Sequence, residues 1–336
     1  MKTKIHHEGN KVWLEGIKGW SANEKVSSVH AALEAIMMAL GEDISYDYLL
    51  GISSLTFRMQ VGGLCPSSPH PGCGYDCIER ASKVVPWKFK GYGIDQDKKE
   101  NPKELNEIIV QSINKGLPVI TGEEEDGLII GYHKKNNEYI CLHPWRNGGK
   151  KPFVVNSQGE ICWGFSVVTE RKTGAIDHRT LVIDSLKQAV KMARTKRAEN
   201  YHVGFKAWEQ YIKSLKKLSK NKKIKSDEDI IGNAWIYKCL IQYRDVAAKY
   251  LLLIEDHFNE TAKEHLKNSS ALYSQISQDI LKYDTGLEKV TGEYDSLKES
   301  VSWTKEMYQD QIKRLEKAQP LEVQAIDEIE RALFSI

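Results

Sequence analysis

Proline is distributed unevenly along the 336-residue chain, and this feature restricts the possible folds more than any other. Of the nine prolines, only Pro320 lies beyond residue 152. Proline removes a backbone donor and clashes with the preceding helical turn, so a stretch without it favours continuous helices. Apolar residues in this stretch recur at helical spacing over 178–196, 200–219, 228–256, 258–283, 286–318 and 321–334. The pattern predicts an all-α helical domain over residues 176–336.

The first 175 residues follow a different pattern. Apolar residues at helical spacing precede Gly41, a helix stop signal, and predict a helix that begins near Ser28. A second helix is predicted at 102–116, because Pro102 suits a first helical position. Short apolar runs between turn residues predict strands at 117–122, 127–133, 138–145, 152–156 and 163–170. A helix followed by antiparallel strands is typical of an α+β domain, which we place at residues 1–175.

Composition and charge exclude several classes of protein. Hydrophobic residues make up 41% of the chain and charged residues 28%, which favours a packed globular protein. The net charge of +2 argues against a dedicated nucleic-acid binder, and the lysine-rich stretch near 219–227 is interpreted as a solvated loop. No apolar run reaches the roughly 18 residues that span a bilayer, and the N-terminal residues lack an apolar leader. We therefore expect a cytoplasmic protein with no membrane partner, reduced cysteines and no cofactor.

Two serines, Ser27 and Ser28, stand where the first predicted helix begins. A nucleophile is often placed at a helix N-terminus, because the exposed backbone amides stabilise developing negative charge. Serine is also a common helix-capping residue. From the residues alone, capping is the simpler interpretation.

Two segments resemble a known family. The segment from Ser28 to Gly41, followed by EDISYDYLLGISSLTFRM, is similar to the N-terminal domain of butirosin biosynthesis protein H and to peptidases that process bacteriocin leaders. The run EDGLIIGYHKKNNEYICLHPW resembles the paired strands of that family. The resemblance covers roughly residues 20–170 and implies a papain-like, cysteine-peptidase-like fold for the first domain. In this fold a catalytic cysteine opens the first helix.

The resemblance implies three catalytic positions, and each carries a different residue here. Ser28 stands in place of the cysteine, Glu125 (or its neighbours Asp126 and Gly127) in place of the histidine, and His143 in place of the aspartate. A thiolate–imidazolium pair cannot form from these residues. His143 can serve as the base only if it approaches Ser28 while Glu125 orients its ring. The base would then stand at the family's aspartate position and the orienting carboxylate at its histidine position.

A cluster of four soft or borderline ligands, Cys65, His70, Cys73 and Cys77, occupies one Pro- and Gly-rich loop. Zinc prefers such ligands. Two alternatives remain open: a loop whose thiols pack as small apolar groups, or a relocated nucleophile at Cys65 or Cys73. The string CPSSP recurs in the family, which implies that this loop lies near the cleft.

In the second half, the strings YHVGFKAWEQYIKSL and NAWIYKCLIQYRDVAAKYL resemble a region that follows this kind of domain. At about 100° per residue, Asn233, Tyr237 and Arg244 project from one largely apolar stripe of a helix. A buried arginine is costly unless it is paired. Arg244 therefore either holds the carboxylate or phosphate of a ligand, with Asn233 and Tyr237 beside it, or pairs with an acidic side chain on another helix.

Two functions of different classes follow. The first is a hydrolase or acyltransferase for a thioester, amide or peptide-like substrate, with Ser28 or Cys65 as nucleophile, His143 as base and helix N-terminal amides as oxyanion donors. The second is a catalytically inactive protein that binds a small metabolite or peptide, or scaffolds a partner. We expect the ligand cleft at the junction of the two domains. The predicted helix at 286–318 is the candidate surface for a homodimer.

Overall fold

The computed structural model describes residues 3–75, 77–93, 102–122, 125–135, 138–156, 164–220, 227–282 and 303–336. The strands are β1 (Lys4–Glu8), β2 (Lys11–Glu15), β3 (Gln60–Val61), β4 (Trp87–Gly93), β5 (Val119–Gly122), β6 (Asp126–His133), β7 (Glu138–Leu142), β8 (Phe153–Asn156), β9 (Gly164–Arg171), β10 (Arg197–Ala198) and β11 (Tyr201–Val203). The α-helices are α1 (Ser28–Leu40), α2 (Tyr46–Ile52), α3 (Ile78–Val84), α4 (Pro102–Asn114), α5 (His178–Arg194), α6 (Gly204–Lys220), α7 (Asp227–Leu253), α8 (Glu260–Ser274) and α9 (Lys305–Phe334). The fold is α+β, as the order of helices and strands predicts.

The chain divides into two compact units, and the division differs from the predicted boundary at 175. Where described, residues 3–46 and 85–175 form the first unit, while 47–84 and 176–336 form the second. Residues 47–84 join the helical unit because their backbone contacts it closely. A Cβ at Gly51 would lie 2.0 Å from the Tyr250 ring, and β3 pairs with β11. Such long-range contacts leave no local signal in the sequence.

The first unit is built on an antiparallel sheet in which β6 is the central strand. One edge of β6 pairs with β7, and β7 pairs with β8. The other edge pairs with β5 near its start and with β2 near its end. β5 continues to β9 and β4, and β2 continues to β1. This arrangement places the start of β6 beside β5, β7 and helix α1.

Two helices of the first unit confirm the sequence predictions. α1 ends at Gly41, which adopts a left-handed conformation with φ 82°; glycine adopts it at little cost. α4 begins at Pro102 and packs Ile109 and Ile113 against the sheet. The core between α4 and the sheet contains alternate side chains from the strands, including Val119, Ile129, Tyr139 and Phe165.

The second unit is helical, apart from the short β3, β10 and β11 ladder. α8 packs against both α7 and α9, and α6 also contacts α9. The final turn of the segment predicted at 258–283 is a π-helix at Gln275–Ile280. Within the described residues, no helix is long and apolar enough to cross a membrane.

One helix prediction is wrong. The predicted segments 286–318 and 321–334 are separate, whereas α9 is continuous through Pro320. Pro320 is exposed, so its ring faces away from the packed side of α9, and only one backbone hydrogen bond is lost. The predicted dimer helix at 286–318 lies partly outside the described residues, since 283–302 are not described.

Candidate functional site

The site begins at the N-terminus of α1. Ser27 precedes the helix in an extended conformation without a side-chain cap, and its hydroxyl contacts Nδ1 of His30 at 2.7 Å. Ser28 is the first helical residue and is 4% exposed. Its hydroxyl points across to the start of β6. The capping interpretation of the two serines is therefore wrong.

Glu125 and Asp126 hold the Ser28 hydroxyl between them. Ser28 Oγ donates to Oε2 of Glu125 at 2.5 Å, and the backbone N–H of Asp126 donates to Ser28 Oγ at 2.9 Å. A hydrogen bond to a carboxylate is stronger than one between neutral groups. Of the three positions that the resemblance indicated for the family histidine, Glu125 accepts the Ser28 hydroxyl proton and Asp126 donates its backbone N–H to the same oxygen.

The carboxyl group of Asp126 titrates near neutral pH. Burial raises the pKa of Asp126 from 3.8 to about 6, although the Ser28 hydroxyl lowers it in part. Loss of solvent disfavours the charged form of a carboxyl group. Perturbed carboxyl groups of this kind are frequent at functional sites. The sequence analysis offered Asp126 only as a neighbour of Glu125.

His143 joins the cluster but does not reach Ser28 as a base. The Trp145 backbone N–H donates to His143 Nδ1 at 3.3 Å, so the proton lies on Nε2, which donates to the Glu125 carbonyl oxygen at 3.3 Å. Burial and the nearby Arg146 charge lower the pKa of His143 to about 4, so the ring is neutral at pH 7. The structure thus brings Ser28, Glu125 and His143 together. The predicted role of His143 as proton acceptor for Ser28 is wrong, because Ser28 donates to Glu125 instead.

Thr121 on β5 is a polar residue of the site that the sequence analysis missed. It lies opposite Gly127 in the β5–β6 register. A Cβ at Gly127 would lie 3.3 Å from His143 Cδ2 and 3.4 Å from Thr121 Cγ2. The Thr121 hydroxyl is buried and has no hydrogen-bond partner in the described part of the chain. Buried hydroxyls are normally satisfied by protein, water or a ligand.

The predicted ligand residues of the helical half serve internal contacts. Arg244 is 0% exposed and forms a two-pronged ion pair with Glu322, with Nε to Oε2 and Nη2 to Oε1 both at 2.7 Å. Arg244 Nη1 donates to the carbonyl oxygens of Thr56 and Arg58. The alternative of a carboxylate on another helix is therefore the one observed.

The other two ligand candidates lie in the same buried region. The Asn233 side chain bonds Tyr211 and Gln311. The Tyr237 ring is fully buried and meets Trp303 edge to face. These contacts stabilise the packing of α6, α7 and α9.

The cysteine loop belongs to the second unit, whereas Ser28 belongs to the first. Cys65 is exposed and contacts the Ser67 hydroxyl, while Cys77 is buried. Within the described ranges, no three His, Cys, Asp or Glu residues lie close enough to hold a metal ion. The zinc site predicted from Cys65, His70, Cys73 and Cys77 is therefore not formed. The spacing in the sequence did not show that Cys77 turns into the core.

Comparison with known proteins adds no family assignment: no family model and no curated protein sequence matches this chain. The papain-like resemblance stays a prediction.

Proposed function

We propose that the first unit catalyses acyl transfer at Ser28, as a hydrolase or acyltransferase acting on a thioester, amide or peptide-like substrate. The observation that carries this proposal is the contact between Ser28 Oγ and Glu125 Oε2 at 2.5 Å. A hydroxyl at a helix N-terminus, with a proton acceptor in contact, has the two features that an activated nucleophile needs. The papain-like resemblance supports the same position.

The chemistry uses the carboxylate where the family uses an imidazole. Ser28 Oγ attacks the substrate carbonyl carbon, and its proton passes to Glu125. The amides of the first turn of α1 stabilise the oxyanion, because these N–H groups have no intrahelical acceptor. The C–N or C–S bond then breaks, and the leaving group takes the proton from Glu125. Water or an acceptor amine attacks the acyl-serine carbon and gives its proton to Glu125. The bond between this carbon and Ser28 Oγ then breaks, and Oγ takes the proton from Glu125, which restores both residues.

Asp126 gives this reaction a pH dependence. Its carboxyl group loses a proton near pH 6. The carboxylate that forms then attracts the Ser28 hydroxyl, whose contact lowers the pKa of Asp126 in part, and this assists removal of the Ser28 proton. The rate of Ser28 acylation should therefore rise as the pH passes through about 6, and Asp126→Asn should remove this step.

A second function, binding without catalysis, is favoured by the His143 geometry. Both ring nitrogens bond to backbone groups, and the ring is neutral. In this alternative Ser28 and Glu125 form a fixed polar contact, and the site recognises a small metabolite or peptide-like ligand. The Thr121 hydroxyl is then a hydrogen-bond donor available to that ligand.

Labelling distinguishes the two functions. The full-length protein is incubated with a fluorophosphonate and, separately, with an acyl thioester, and adducts are located by intact mass and peptide mapping. Catalysis predicts one adduct on Ser28 that is lost in Ser28→Ala.

Glu125→Gln keeps a hydrogen-bond acceptor without the base, so labelling should slow by about 10²-fold or more. Ser27→Ala is the matched control, since the Ser27 hydroxyl contacts His30 in the neighbouring helical turn rather than Glu125. Absence of the adduct from folded wild-type protein, with thioester retained non-covalently in native mass spectra, would favour binding.

A further inference from the structure

The loop from Cys65 to Tyr75 is held in one conformation by two buried side chains. Arg58 is 2% exposed and Gln60 is 4% exposed. The Arg58 guanidinium donates to the carbonyl oxygens of Pro69, His70, Pro71, Cys73 and Tyr75. Gln60 donates to the Ser68 and Cys73 carbonyl oxygens and accepts from the Tyr75 N–H. The side chains on this loop are therefore presented in a fixed arrangement.

Cys73 and His70 form a thiol–imidazole contact on this loop. The Cys73 Sγ lies 3.8 Å from His70 Nδ1. The Gly72 N–H also donates to Nδ1 at 3.2 Å, so this nitrogen is unprotonated and acts as an acceptor. Burial and the nearby Arg58 charge lower the pKa of His70, which keeps the ring neutral at pH 7. A neutral imidazole in contact with a thiol can accept its proton.

Tyr201 is a neighbour of both thiols of the loop. The Tyr201 and Ser67 hydroxyls lie 3.1 Å apart, and the Ser67 hydroxyl also lies 3.0 Å from Cys65 Sγ. The contact with Ser67 lowers the pKa of Tyr201, while burial and the neighbouring Cys73 and Cys65 thiols raise it, with a net rise. One phenol therefore has both thiols as neighbours. Cys65 is exposed, and Cys73 is partly exposed.

We propose that Cys65 and Cys73 form a thiol–disulfide exchange site whose co-substrate is a low-molecular-weight disulfide. Cys73 is the attacking thiol because it has a base in contact. Cys65 is the resolving thiol because it is exposed, lies on the same loop as Cys73 and approaches Tyr201 through Ser67. This activity is separate from acyl transfer at Ser28, and it assigns Cys65 a role other than the acyl-transfer nucleophile.

The reaction balances in two steps. Cys73 sulfur attacks one sulfur of the co-substrate, its proton passes to His70 Nδ1, and the disulfide bond of the co-substrate breaks. The first thiolate leaves and takes the proton from His70. Cys65 sulfur then attacks Cys73 sulfur in the mixed disulfide, and the second thiol leaves with the Cys65 proton. Two cysteines are oxidised to one disulfide, and one co-substrate disulfide is reduced to two thiols.

The test uses full-length reduced protein and oxidised glutathione at pH 7. Samples are quenched with acid at intervals, alkylated and analysed by intact mass and peptide mapping. We expect glutathione first on Cys73 and then a disulfide between Cys65 and Cys73. Cys65→Ser should accumulate the mixed disulfide on Cys73. His70→Asn keeps an acceptor for the Gly72 N–H but has no basic nitrogen, so Cys73 should react about tenfold more slowly or worse.

Cys77→Ser is the matched control, since Cys77 is a buried thiol just after this loop and takes no part in the reaction. Its rates should equal those of the wild type. Three results would overturn the proposal: glutathione that accumulates on Cys65 first, a product without the Cys65–Cys73 bond, or an unchanged Cys73 rate in folded His70→Asn. Circular dichroism spectra of each variant establish that it is folded.

Discussion

Asp126 and His143 lie in one site, and their titration changes the free energy of unfolding in opposite directions between pH 4 and 6. The pKa of Asp126 rises from 3.8 to about 6 on folding, so its contribution to stability is full below pH 3.8 and is lost as the pH rises through 6. The pKa of His143 falls from 6.5 to about 4, so its contribution is full above pH 6.5 and is lost as the pH falls through 4. Each shift corresponds to about 3 kcal/mol. The two effects nearly cancel in the wild type.

Single substitutions at these two residues should reveal the cancellation. Asp126→Asn leaves only the histidine effect, so the free energy of unfolding should rise by about 3 kcal/mol from pH 4 to 6.5, relative to the wild-type profile. His143→Gln leaves only the aspartate effect, and the free energy should fall over the same range. Urea titrations at several pH values measure both slopes. Profiles parallel to the wild type in both variants would contradict the assigned pKa shifts.

Arg244 and Glu322 should affect stability rather than ligand recognition. Removing one member of a buried ion pair leaves an uncompensated charge, so Arg244→Met should cost about 3–5 kcal/mol. Burial already raises the pKa of Glu322, and the guanidinium opposes that rise. Without the guanidinium Glu322 is more readily protonated, so the loss should shrink at low pH.

The matched test of this pair is the double variant Arg244→Met with Glu322→Leu. Apolar replacement of both partners removes the charges together, so stability should recover most of the loss of the single variant. Denaturant unfolding of the three proteins measures the difference. A double variant less stable than Arg244→Met would show that the pair does not act as a unit.

The positions of the chemically important residues were predictable from the sequence, but their partners were not. The spacing of Asn233, Tyr237 and Arg244 placed an arginine on an apolar stripe, and the need for an acidic partner followed from physical chemistry. The partner itself, Glu322, is 78 residues away along the chain and has no local signal. The same limit applies to Ser28. Its helix position was predictable, but whether Glu125 or His143 receives its proton depends on the β6 and β7 register.

At the scale of elements, strands with uninterrupted apolar runs were predictable, and strands in which charged residues flank or separate the apolar ones were not. β5 and β6 carry continuous buried residues and match their predicted ranges closely. β1, β2 and β4 were missed because charged residues flank their few apolar side chains or alternate with them. The continuity of α9 was missed because the sequence alone does not show that Pro320 lies on the exposed face.

The continuity of α9 makes a prediction for Pro320. In an exposed helix interior, proline is about 3 kcal/mol less favourable than alanine. Since Pro320 is exposed, Pro320→Ala loses no packing and should raise the free energy of unfolding by about 1–3 kcal/mol. Pro102→Ala is the control, since Pro102 is the first residue of α4, where the N–H has no intrahelical acceptor; its effect should stay within about 0.5 kcal/mol. A destabilised Pro320→Ala would indicate that the helix needs a break there.

At the scale of the whole molecule, residues 47–84 decide how the chain can be divided. The Thr56 and Arg58 carbonyls accept from Arg244, and the Thr56 hydroxyl donates to the Tyr243 carbonyl oxygen. Gly51 lies against the Tyr250 ring. A helical fragment cut at 175/176 loses all of these contacts, and Arg244 keeps its ion pair with Glu322 and its contacts with the Trp208 and Tyr273 rings. The composition change near 175 marks where helices begin, and it does not mark a unit with a complete core.

Fragment 176–336 should therefore be poorly folded by itself. A cut at 175/176 exposes the surfaces of Tyr250 and Arg244 that residues 47–84 cover. The Arg244 guanidinium also loses its two backbone acceptors, the Thr56 and Arg58 carbonyl oxygens. We expect a broad, non-cooperative urea transition for the fragment, followed by circular dichroism. Addition of a peptide that spans residues 47–84 should restore a sharp transition, while the same peptide with Gly51→Leu, which cannot fit beside the Tyr250 ring, should not. A cooperative transition of 176–336 without the peptide would show that the predicted boundary at 175 is also the boundary of independent folding.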